Sequence, residues 1–148
     1  MSRLKTALAA GAMAIIVNML ALAAADFVPV ATAHGGLLRL LVRFGLHAPA
    51  TPQFQAAFHI LVGLLMAVVY AFVLDPLLNG TALVKGLIYA AGVWLINAVF
   101  VLPMTGEGLA GSRHLSLLGM AWFAAAHTLF FVLLALFYER GGGAGRRR

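Results

Sequence analysis

At 148 residues the chain is 64% hydrophobic and 9% charged, with a mean hydropathy of +1.02, whereas soluble domains average about a quarter charged residues; a soluble globule could not cover so large an apolar fraction. A net charge of +6 and a pI near 10.9 would direct a polar protein to nucleic acid, but these basic residues stand at the ends of apolar runs, and no nucleic-acid partner is expected. The lack of cysteine excludes disulfides, thiolate metal sites, iron–sulfur ligation, c-type haem attachment and thiol nucleophiles.

At about 20 apolar residues per membrane crossing, four spans and short connections fill residues 1–140 as one transmembrane domain. The expected class is all-α, a four-helix transmembrane bundle with no room for an aqueous catalytic domain. The first span covers residues 6–25, preceded by Arg3 and Lys5 and followed by Asp26 and Pro29. A basic start, an apolar middle and small residues at Ala21, Ala23 and Ala25 also imitate a secretory signal. Retention is expected, because the run is long for a signal core and the other spans need a partner.

Residues 34–47 begin with His34-Gly35-Gly36 and continue through Leu37 to Phe44, too short to cross. Arg39 and Arg43 fall on one face, which predicts a short helix lying in the interface, its leucines in acyl chains and its arginines on headgroup phosphates. The second span covers residues 54–74, with Asp75-Pro76 and Asn79-Gly80 read as a turn. The third covers 83–102. Pro103 to His114 form a glycine-rich loop in which Glu107 is expected to be solvated. The fourth span covers 115–138, and the basic tail 141–148 is expected to be disordered.

Basic residues give the orientation. Arg3, Lys5, Lys85, Arg140 and Arg146 to Arg148 lie on one side, against Arg39, Arg43 and Arg113 on the other, which predicts cytoplasmic termini in a bacterial inner membrane.

The two halves share a pattern. His59 precedes Tyr70 by 11 residues and His127 precedes Tyr138 by 11, close to three helical turns, so each Tyr lies below its His on one face, about 16 Å deeper. Lys5 and Asn18 correspond more loosely to Lys85 and Asn97, with Gly11 and Gly92 between. The expectation is two tandem helical hairpins of one orientation, with both histidines at similar depth.

An ionisable group inside a bilayer is a functional candidate because a charge there costs a few kcal/mol. His59 and His127 are the two inside spans. Neutral, each could be satisfied by Asn18, Asn97, Thr128 or a backbone carbonyl. Facing each other, they could hold a haem b iron or another transition metal. A third possibility is proton or solute handling in a polar cavity of Asn18, His59, Asn97, His127, Tyr70 and Tyr138, with Asp26, Glu107 and His114 at the outer rim. Nucleotide loops, the zinc-protease helix motif and the nucleophile elbow are absent.

His59, Gly63 and Tyr70, then Gly86 and Trp94, then Pro103-Met104-Thr105-Gly106 with Gly108, then Gly119, His127 and Tyr138 carry a further signal. Over 59–138 the chain resembles a family of small bacterial and archaeal four-span integral membrane proteins whose function is not established. The resemblance implies a four-helix membrane fold and carries over no catalytic residue. An enzyme and a resident cofactor are therefore not expected. The leading expectation is an accessory or binding subunit whose partners are the lipid bilayer and either further copies or a larger membrane complex. An ion, proton or solute transporter or channel subunit, and a bis-histidine haem or metal protein, are the alternatives.

Overall fold

The computed structural model describes residues 2–28, 36–49 and 51–143, with Asp26 described by its backbone only. His34, the side chain of Asp26 and tail residues 144–148 lie outside the described residues. Four long helices, α1 (Arg3–Ala24), α3 (Pro52–Leu77), α4 (Ala82–Met104) and α5 (Leu117–Arg140), are each long and apolar enough to cross a membrane. A short helix α2 (Gly36–Arg43) lies between α1 and α3. The chain is thus an all-helical membrane protein built as a four-helix bundle.

Each long helix starts on a hydroxyl cap. Ser2, Thr51, Thr81 and Ser116 accept from the backbone N–H groups of Lys5, Phe54, Val84 and Gly119, satisfying donors that the first turn leaves open.

The helices run past two prolines that hydropathy alone reads as stops. Tyr70–Leu74 and Asn97–Val101 are π-helical turns, and Pro76 and Pro103 each stand two residues beyond one of them. The wider turn makes room for a ring that would clash with the carbonyl four residues back. Asp75-Pro76, expected as a turn, is therefore helical, and α3 continues to Leu77.

α1 packs on α3 and α5, and α5 packs on α4, so α1 and α5 form the central pair flanked by α3 and α4. Glycines set the approach distances. A Cβ on Gly86 of α4 would lie 2.8 Å from the Cα of Val132 on α5, and one on Gly11 of α1 would lie 2.6 Å from the Cβ of Ala67 on α3. In hydrocarbon, such close backbone packing is a main source of helix association.

The end of the bundle carrying the first residues of α1 and the last of α5 is closed. Asp75, 2% exposed, takes Lys85 Nζ at 2.7 Å on one oxygen and Arg3 Nη2 at 3.7 Å on the other. Arg3 Nε also donates to the Tyr138 hydroxyl at 3.1 Å. All four long helices meet in this cluster. Beneath it Tyr70 lies edge-on to Tyr138 and stacked with Tyr89, which abuts Phe131.

Asp75→Asn leaves Lys85, 8% exposed, without a full counter-charge, and breaking such a pair costs about 3–5 kcal/mol. The thermal midpoint in detergent is expected to drop sharply, and Asp75→Asn/Lys85→Gln to recover most of the loss. A double variant as unstable as the single one contradicts the pairing.

Candidate functional site: a histidine-lined cavity

At the opposite end the flanking helices part. The bonds that join α3 to α4, Tyr89 OH to the Met66 carbonyl and Lys85 to Asp75, lie toward the closed end. Beyond them a cavity of about 380 Å³ opens among the four long helices. Ile15, Gly63, Met66 and Phe131 line it, together with Asn18, His59, Asn97, Phe123 and His127, and Leu37 and Leu38 of α2 border it as well.

The equal His-to-Tyr spacings place both pairs at matching levels. The His59 and His127 rings lie 6.4 Å apart and edge-on, at 86°, and the Tyr70 and Tyr138 rings 5.6 Å apart. The π-helical turns fall in α3 and α4, which do not correspond to one another in the hairpin scheme.

A chain of bonds sets the polarity of the site. Asn18, 1% exposed, donates through Nδ2 to the Ala126 carbonyl at 2.9 Å, which leaves Oδ1 to accept from His59 Nε2 at 2.9 Å. As a neutral ring His59 therefore carries its proton on Nε2 and a lone pair on Nδ1. His127 Nδ1 donates to the Phe123 carbonyl one turn back at 2.8 Å, so its lone pair is on Nε2. Asn97 donates to the Val93 carbonyl at 3.0 Å. The Phe123 ring lies 4.2 Å from that of His127, a contact that the i, i+4 spacing could have revealed.

Several sequence expectations are corrected. Tyr70 and Tyr138 belong to the aromatic layer at the closed end and do not line the cavity. Glu107 is 5% exposed and pairs with Arg39 at 2.6 Å, while Arg43 Nη1 donates to the Met104 carbonyl. Arg39 thus ties α2 to the loop after α4 and Arg43 ties it to the end of α4 itself, where headgroup phosphates were expected. Glycines with positive φ, Gly106 at 89° and Gly108 at 78°, fold that loop inward around Glu107. His114 is exposed in the same loop, away from the cavity. Hydropathy did not single out Trp122, whose Nε1 donates to the Ala21 carbonyl at 2.9 Å and ties α5 to α1.

Among the described residues, no group of three or more His, Cys, Asp or Glu side chains is placed to hold a metal ion. No family model, curated protein or solved structure matches the chain.

Asn18→Leu removes the acceptor for His59 and the donor to Ala126, a loss expected to cost about 1–2 kcal/mol. In a double-mutant cycle by thermal unfolding in one detergent, Asn18→Leu/His59→Leu is expected to cost less than the sum of the single changes. Strict additivity contradicts the bond.

Proposed function

We propose that the protein is a non-enzymatic membrane binding subunit that holds a small apolar molecule in the histidine-lined cavity. The observation that carries this reading is a cavity of about 380 Å³ closed at one end, mostly apolar, with a few convergent polar groups, a size and composition typical of small-molecule sites. Among the described residues its lining contains no Ser, Thr, Cys, Lys, Asp or Glu, so no described lining side chain offers the histidines a nucleophile to activate or a carboxylate to orient them. The ion cluster and aromatic layer favour a blind site in each chain over a channel through it. A bis-histidine haem is the second reading, favoured by the 6.4 Å ring separation; Soret absorption lost in His127→Ala would decide for it.

The protein acts, in this reading, in the bacterial inner membrane with both termini cytoplasmic. The basic residues Arg3, Lys5, Lys85 and Arg140 beside the closed end support that orientation. Further copies or a larger membrane complex would complete its surroundings.

Protein purified in mild detergent and extracted with organic solvent is expected to release close to one specific small molecule per chain. Val62→Trp, which fills the cavity, should lower that yield at least fivefold. Equal yields from both proteins, or only bulk lipid from either, would sink the proposal. Because the chain has no cysteine, single-cysteine variants test the orientation. In intact cells a membrane-impermeant maleimide is expected to label Ser112→Cys and not Ser2→Cys, and the reverse pattern would invert the topology.

A further inference from the structure

We infer that the cavity selects a neutral amphiphile whose head group donates a hydrogen bond, a phenol or an alcohol in preference to an ether, carbonyl, carboxylate or ammonium. The inference rests on the cavity being the ligand site and names the chemistry of what it takes.

The hydrogen-bond chain carries it. Both imidazole N–H groups are engaged by the protein, that of His59 by Asn18 and that of His127 by the Phe123 carbonyl. A neutral imidazole has one donor and one acceptor, so His127 meets a ligand with the Nε2 lone pair. To offer a donor instead, it must break the Phe123 bond or take up a proton. The second course puts a positive charge in an apolar cavity with no carboxylate among the described residues of its lining. Asp75 is held by Lys85 and Arg3, Glu107 by Arg39, and neither borders the cavity.

The other polar groups permit this choice without making it. Asn97 has Oδ1 and one further amide N–H beyond its bond to Val93, and Gln55 stands exposed at the cavity margin; each can accept or donate. A charged head would leave water for a site whose described lining residues include no counter-ion, at a cost of several kcal/mol. A ketone, ether or ester would set its lone pairs against that of His127. A hydroxyl can donate to Nε2 of His127 while its apolar body contacts Phe123, Val93 and Phe131.

The test compares ligands of one shape on the full chain in detergent. The probes are 4-hexylphenol, its methyl ether 4-hexylanisole, 4-hexylbenzoate and 4-hexylbenzylammonium, followed by titration calorimetry. The phenol is expected to bind about three- to tenfold more tightly than the ether, the range of one neutral hydrogen bond, and more tightly than either ion. His127→Phe should bring phenol and ether within twofold of each other; the wild-type comparison stands whether or not that variant folds. Decanol against decyl methyl ether assigns the source. A preference for the alcohol extends the rule to aliphatic lipids, and its absence limits the rule to aromatic hydroxyls. Equal binding of phenol and ether, or a preference for either ion, overturns the donor rule while leaving the cavity as a ligand site. Binding by none of the probes overturns both.

Discussion

A carboxylate and an ammonium are tolerable inside a low-dielectric bundle only when each balances the other. The bond between Asp75 and Lys85 at 2.7 Å meets that condition. It joins the last turn of α3 to the first turn of α4, and Arg3 and Tyr138 bring in α1 and α5. Among the described residues no ion pair joins α3 to α4 toward the other end. The cavity follows from that asymmetry: the flanking helices are locked at one end and part at the other.

Backbone geometry makes the same distribution possible. Gly11 and Gly86 let α1 approach α3 and α4 approach α5 so closely that side chains there would clash, so these two pairs stay tightly packed. The π-helical turns before Pro76 and Pro103 keep α3 and α4 helical through residues that would otherwise end them. Asp75 thereby stays on the helix that presents it to Lys85. At the open end α2 is held by Glu107 through Arg39 and by the Met104 carbonyl through Arg43, and its leucines border the cavity.

Within the cavity the protein's own bonds determine what is left for a ligand. Asn18 bridges a backbone carbonyl of α5 and a histidine of α3, so one side chain of the central helix orients both its own amide and the imidazole beside it. Polar groups in such a setting are satisfied internally before anything else reaches them. The Nε2 lone pair of His127, left by its bond to the Phe123 carbonyl and set in apolar walls, gives the site a definite chemical sense that comes from the network more than from residue type.

Apolar length and composition made the four spans legible in the sequence, because a helix that must satisfy every backbone group within itself announces its extent by hydropathy. The 11-residue His-to-Tyr spacing likewise marked two levels on two helices, since helical rise is fixed by local geometry. Asp75, Glu107 and the two tyrosines were misread for one reason. Whether a carboxylate caps a turn, sits in solvent or pairs inside a bundle depends on which cation another helix brings within reach. Which side of a helix faces the cavity depends on its neighbours in the same way. The sequence by itself determined that four helices exist and where polar groups interrupt them. Helix packing alone decided that Lys85 would meet Asp75, that Asn18 would meet His59, and that a cavity lined by both histidines would remain, because those pairings lie across helices and no local rule specifies them.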